Sequence, residues 1–280
     1  MVAYKVSIIN MKGGVGKTTL SFHLAAYLSE NKGYKVLLID LDPQANATIV
    51  STEPEKLDEH KKQKKTISDL FLNCFKQYGP FPKEEEAIDD YHNFLYEIYK
   101  SEDGKSRFDL IPSEIYLSTV LKGLHIGPYD LDRLLVKKAE KDYDFIIIDC
   151  APTYSILTTL ALNATKTILI PVMTDKYGLY GVELMKYIIE EHQEDYGIEI
   201  KTLGIIFTKY QKDDTSAIKL SNSIIKAWGK ETFKTSIRNS KSYIVIDGKR
   251  EAIFKKAYVR DEVRDEFENF VKEFEEKIQK

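Results

Sequence analysis

The sequence runs to 280 residues and 32.3 kDa, long enough for one large α/β domain that buries roughly 75% of its unfolded surface. Its 30% charged and 43% hydrophobic residues, with 14 Gly and 8 Pro, exclude collagen-like, low-complexity and wholly disordered chains. Forty-one Lys and Arg against 44 Asp and Glu leave a net charge of −3, which as a sum speaks against nucleic-acid binding but averages over faces that differ in sign.

In chain order, the first apolar run is Tyr4-Lys5-Val6-Ser7-Ile8-Ile9, and no basic n-region, apolar h-region or cleavage site precedes it. Similar short, β-branched runs follow at Val36-Leu37-Leu38-Ile39, Phe145-Ile146-Ile147-Ile148, Thr167-Ile168-Leu169-Ile170 and Leu203-Gly204-Ile205-Ile206-Phe207. Each reads as a buried strand. Amphipathic patterns predict helices over 17–30, 114–122, 128–139, 155–163, 179–193 and 215–227, with a charged helix closing the chain near 261–279. Strands alternating with helices predict a single doubly wound, mostly parallel sheet with helices on both faces, with the site at the strands' carboxyl ends. The stretch 53–107 breaks this rhythm with the basic run His60-Lys61-Lys62-Gln63-Lys64-Lys65, the acidic Lys83-Glu84-Glu85-Glu86 and the aromatics Tyr91, Phe94, Tyr96 and Tyr99. We expect it to be a helical or irregular insertion, its aromatics packed against the sheet, within one domain spanning 1–280. The two cysteines, Cys74 and Cys150, make no disulfide framework and fit a reducing cytoplasm. The longest charge-free stretch, 150–165, is shorter than the ~18 residues of a membrane span.

Directly after the first strand stands Asn10-Met11-Lys12-Gly13-Gly14-Val15-Gly16-Lys17-Thr18-Thr19-Leu20, followed by a helix. Strand, glycine-rich turn and helix are the setting of a phosphate loop. Gly13, Gly14 and Gly16 let successive backbone N–H groups converge on phosphate oxygens, and the helix adds its positive end. Lys17 should neutralise the β- and γ-phosphates, and the Thr18 hydroxyl should sit on Mg²⁺. The general pattern asks for glycine at position 11, where this chain has Met11. Lys12 beside it supplies a second lysine at the phosphates.

The run Lys12-Gly13-Gly14-Val15-Gly16-Lys17-Thr18-Thr19 resembles the deviant phosphate loop of the ParA-type partition ATPases, relatives of the MinD division-site ATPases and the nitrogenase iron protein. Asp40-Leu41-Asp42-Pro43-Gln44-Ala45-Asn46-Ala47-Thr48 resembles their switch I, and Gln44 and Asn46 favour the partition branch. A carboxylate at a strand's carboxyl end can orient a water for attack on the γ-phosphate; by resemblance that residue is Asp42, with Asp40 assisting near the metal. Phe145-Ile146-Ile147-Ile148-Asp149 is a Walker-B pattern whose acid meets Mg²⁺, and Cys150-Ala151-Pro152-Thr153 resembles switch II. The segment 171–178 also matches. By resemblance Thr208 and Lys209 contact the adenine.

The resemblance implies a DNA-partition ATPase, cytoplasmic and nucleoid-associated, which hydrolyses ATP slowly with Mg²⁺. ATP would drive a sandwich homodimer in which Lys12 points outward to the partner's phosphates. That dimer would bind double-stranded DNA non-specifically, and a centromere-binding ParB-like partner would stimulate hydrolysis and release. Because the chain enters its first strand at once, the short form without an N-terminal helix-turn-helix is expected. Between 226 and 260 stand ten basic residues against three acids, a local cationic surplus suited to phosphate contacts without base reading. The DNA contacts expected are Lys212, Lys230, Lys234, Arg238 and Lys241. The competing readings are a MinD-like membrane or positioning ATPase, a positioning ATPase for a protein cargo, an iron–sulfur electron carrier and a kinase built on the same loop. The tail from 267 to 278 is amphipathic but acid-rich, so anionic lipid would repel it and no membrane partner is expected.

Overall fold

The computed structural model describes residues 2–78, 90–244 and 252–279. One sheet holds β1 (Tyr4–Ile8), β2 (Lys35–Leu41), β3 (Tyr96–Lys100), β4 (Arg107–Ile111), β5 (Phe145–Cys150), β6 (Thr167–Met173), β7 (Lys201–Tyr210) and β8 (Thr232–Arg238). Their order is β3-β4-β2-β5-β1-β6-β7-β8, and only β3 runs antiparallel. The helices are α1 (Lys17–Glu30), α2 (Asn46–Ser51), α3 (Pro54–Lys62), α4 (Ile67–Tyr78), α5 (Leu117–Gly123), a π-helical turn Asp132–Val136 running into α6 (Lys137–Ala139), α7 (Ile156–Thr165), α8 (Gly178–Tyr196), α9 (Thr215–Trp228) and α10 (Asp261–Ile278).

Strand alternation sends successive side chains to opposite faces, and each face has its own core. Ile146 and Ile148 of β5 join Leu37, Ile39, Ile168 and Ile170 under α4, α5, α7 and α8. Phe145 and Ile147 join Val6, Ile8, Leu38 and Leu169 under α1 and α10. This two-sided burial is why the central strands read as unbroken apolar runs. The chain leaves β1 for β2 on one side and later reaches β6 on the other. The reversal opens a crevice at the carboxyl end of β1, where a doubly wound sheet binds its ligand.

Three strands escaped the sequence patterns. β4 carries Asp109, buried at 3% exposure and held by Arg107 at 3.0 Å and the Tyr143 hydroxyl at 2.6 Å, so an acid interrupts its apolar signal. β3 and β8 are edge strands that alternate polar and apolar residues and bury one face. Within 53–107, α3 and α4 are helical, whereas β3 and the start of β4 belong to the sheet. Tyr91, Phe94 and Tyr96 are buried and Tyr99 is half-buried; the run 83–86 lies outside the described residues.

Candidate nucleotide site

The crevice is built first from backbone. Gly14 at φ 75° and Gly16 at φ 90° take left-handed conformations that cost other residues roughly 1–2 kcal/mol. A Cβ at Gly13 or Gly14 would meet nothing within 4 Å, so the loop faces open space. α1 starts one residue after Gly16, with no side-chain cap and no acid in its first turn. Its free N–H groups and positive dipole end stand ready for an anion.

Both lysines are engaged within the chain. Lys17 is buried at 7% exposure, and its Nζ donates to the carbonyls of Asn10 at 3.0 Å and Lys12 at 3.1 Å. Burial lowers its pKa, opposed chiefly by the charge of Asp149. Lys12 was expected to point away from its own subunit. Instead its Nζ pairs with Asp175, just beyond β6, and lies 5.5 Å from the centre of the Tyr177 ring. A long cation beside a half-exposed carboxylate and an aromatic face folds back onto them when no phosphate competes.

Asp149 ends β5 and accepts from the Thr18 hydroxyl at 2.7 Å and the Ser21 hydroxyl at 2.9 Å, both on α1. Hydrogen bonds to a charged acceptor contribute about 1.5–3 kcal/mol each, so these two fix the helix start against the acid. Asp40 lies in register beside Asp149 on β2. Burial pushes both carboxyls up, and the charge of Asp149 pushes Asp40 further. Among the described residues, Asp40, Asp42 and Asp149 are buried with a single buried ammonium, Lys17. The Thr18 hydroxyl and the Asp149 carboxylate, side by side at the start of α1, are hard oxygen donors of the kind that suits Mg²⁺.

The sequence placed Asp40 near the metal; the structure gives its oxygens other work. Oδ2 accepts from the Thr48 amide and hydroxyl, both at 2.7 Å, and Oδ1 from the Asp42 amide at 3.1 Å. Thr48 in turn accepts from the Ser113 amide at 2.8 Å. Asp40 thus brackets the switch I turn and α2. Asp42 is buried at 6% exposure and accepts from the Gln44 amide at 2.9 Å.

Beside the loop lies a cavity of about 370 Å³ lined by Gly16, Thr18, Thr208, Lys209, Asn239 and Tyr243, with apolar walls from Phe22, Ile237 and Ile244. The Thr208 hydroxyl donates to the Val15 carbonyl at 2.6 Å, bracing the loop from β7. Lys209 adopts φ 50° at the cavity mouth. Val15 is buried and Thr19 half-buried. Sequence reasoning assigned no role to Asn10, whose Oδ1 accepts from the Lys12 amide at 2.9 Å and whose Nδ2 donates to the Pro171 carbonyl at 2.8 Å. It also missed Ser21 and Asp175. An asparagine or serine near a turn carries no pattern that separates such roles from capping.

The five candidate DNA residues do not converge. Lys230 and Lys234 lie before and in the first half of β8, whereas Arg238, Lys241 and Lys212 lie at the carboxyl ends of β8 and β7, and Lys234 is roughly 13 Å from Arg238 along the strand by its rise per residue. Arg238 is paired with Glu262 at 2.7 Å and Glu266 at 2.8 Å, and Lys212 with Glu266 at 3.0 Å. Elsewhere in the basic segment Lys255 pairs with Glu30. Lys230, Lys234 and Lys241 are exposed. Arg238 and Lys241 also line the cavity beside the loop.

The family model described as an AAA domain, AAA_31, matches residues 3–202. The chromosome-partitioning ATPase Soj of Thermus thermophilus is 29% identical over 234 residues, covering 83% of this chain and 80% of its own. Among solved structures, apo McdA of Cyanothece superposes with a TM-score of 0.72 at 22% identity, over 97% of this chain and 99% of its own. Cobyrinic acid a,c-diamide synthase from Mycobacterium smegmatis, with bound ATP analog and magnesium, gives 0.66 at 25% identity, over 90% and 93%. The family model covers more than half of the chain, which belongs to the AAA_31 family as a ParA-type ATPase.

Proposed function

We propose that this protein is a partition or positioning ATPase whose Mg²⁺-ATP state is a homodimer that binds duplex DNA without sequence preference. The observation that carries the proposal is the pair of lysines at one phosphate loop, with Thr18 and Ser21 locked onto Asp149. Lys17 leaves two loop carbonyls for the phosphates, and the loop amides and the α1 terminus bind the same anion. Thr18 and Asp149 would hold Mg²⁺, which offsets the phosphate charge; Asp40 acts on the site by fixing the turn that carries Asp42. Asp42, buried at that turn, orients the attacking water. No arginine stands in 40–48 or 149–154, so these two segments offer no arginine finger to the transferring phosphoryl group. Slow turnover that a ParB-like partner accelerates follows from that lack.

Lys12 gives the dimer its test. Its pairing with Asp175 holds it in the single chain, and a second subunit's phosphates offer the stronger anion. The dimer would be two-fold, each Lys12 crossing to the other nucleotide. In size-exclusion chromatography the wild type shifts to a dimer with Mg²⁺-ATP, whereas Lys12→Ala stays monomeric while still binding nucleotide; a variant that dimerises normally refutes the crossing. The membrane alternative loses its surface, because Val263, Phe267, Phe270, Val271 and Phe274 of α10 are buried in the core over the sheet.

A further inference from the structure

His23 is fully buried on α1, the helix that begins at the phosphate loop. Its Nδ1 accepts from the Ile253 amide at 3.2 Å, which places the imidazole proton on Nε2, and Nε2 faces the Tyr243 carbonyl at 3.2 Å. One neutral ring thereby ties both flanks of residues 244–252 to α1. The ring is wedged among Phe22, Tyr243 and Phe267 at centroid distances of 5.2, 5.5 and 6.0 Å. Tyr243 and Ile244 are walls of the cavity beside the loop, as are Thr18 and His23 itself. Lys256 adds a second tie, donating to the carbonyls of Ser242 at 2.9 Å and Ile244 at 2.5 Å.

The phosphate end and the cavity wall are therefore set by one helix. Thr18 and Ser21 fix the start of α1 to Asp149, and His23, little more than a turn further on, fixes the wall. A leucine at this position would keep the volume but leave the Ile253 amide and the Tyr243 carbonyl without their partner. A planar base binds by apolar contact and a few placed polar groups, so its affinity depends on where that wall stands.

Resting on the ATPase reading above, we infer that His23 is a positioning residue for the nucleotide base: it holds the Tyr243–Ile244 wall of the cavity in register with the phosphate loop, with Lys256 assisting. It touches neither the phosphates nor the attacking water, so its effect falls on binding and base choice.

The experiment compares full-length wild type, His23→Leu and Lys256→Met by steady-state phosphate release with Mg²⁺-ATP and Mg²⁺-GTP, with thermal melting of each protein without nucleotide. Expected is a rise in KM for ATP on the order of tenfold, kcat within about twofold, and a narrowed ratio of GTP to ATP KM values. Lys256→Met, a change in a half-buried side chain, should show the same signature more weakly, and decides the matter if His23→Leu fails to fold. Unchanged KM in the folded variants overturns the inference, as does a fall in kcat with KM preserved or a wild type that does not discriminate the bases. Absence of turnover and of ATP binding in the wild type would instead refute the ATPase reading.

Discussion

The phosphate loop and the basic segment are both rich in positive charge, but the structure treats them oppositely. At the loop the functional side chains are held: Lys17 on two carbonyls, Thr18 and Ser21 on Asp149, Asp40 on Thr48. Along β8 the charges are spread out, and Arg238 and Lys212 are offset by Glu262 and Glu266 of α10. Chemistry on a phosphoryl group needs preorganised groups whose error is a fraction of an ångström. Binding a uniform polyanion needs only charge near a surface, and works with mobile lysines. On the proposed function, the held side chains of the loop would serve the chemistry and the spread charges of β8 the polyanion.

The largest effect should come from the ordered side. Asp42→Ala removes the proposed water-orienting group without touching Lys17 or Thr18, so phosphate release should fall by roughly 10²–10³-fold while the Mg²⁺-ATP dimer persists in size-exclusion chromatography. Turnover near the wild-type rate would move the role elsewhere. The side with spread charges should respond gradually. Lys234→Ala should weaken ATP-dependent binding of random duplex DNA alike for all sequences and flatten the dependence of log affinity on log salt by about one. Glu266→Gln removes the ion-pair partner of Lys212 and one of the two carboxylates on Arg238, and binding should tighten by about threefold at low salt. A salt slope that neither variant alters would place the DNA surface away from β8.

The two regions were also unequally legible. The loop announced itself because its glycines, lysines and strand–turn–helix setting are local in sequence, and Asp149 because an acid closes a buried apolar run. Burial on both faces made the central strands visible, whereas β8 and β3 bury one face and alternate. What the sequence hid is contact between distant positions. The ten basic residues of 226–260 gave a true sum, but their partners Glu262, Glu266 and Glu30 lie outside that window. Lys12 gave its chemistry but not Asp175, and Asp40 gave an acid at a strand end but not the Thr48 pair that occupies it. A residue's type and spacing show what it can do; its partner decides what it does in the folded chain.

His23 joins the two regions, since it ties the loop's helix to Tyr243 and Ile253 within the basic segment. Burial lowers its pKa from 6.5 to about 4, with the Tyr243 carbonyl opposing and the nearby Lys256 charge assisting the shift. A depressed pKa means that the folded state resists a proton the unfolded chain accepts. Stability from this group is therefore complete above about pH 7 and drains as pH falls through the window between 6.5 and 4. By linkage the loss between pH 7.5 and 5.5 amounts to about 1.4 kcal/mol. Asp40 and Asp149, whose pKa values are raised, titrate with the opposite sign, but they remain in a His23→Leu protein and cancel in the comparison. Urea unfolding of both proteins at the two pH values isolates the histidine: the wild type should lose about 1.4 kcal/mol more than the variant on acidification. Equal losses would mean that the imidazole is not held neutral, and the tie between loop and segment would fail with it.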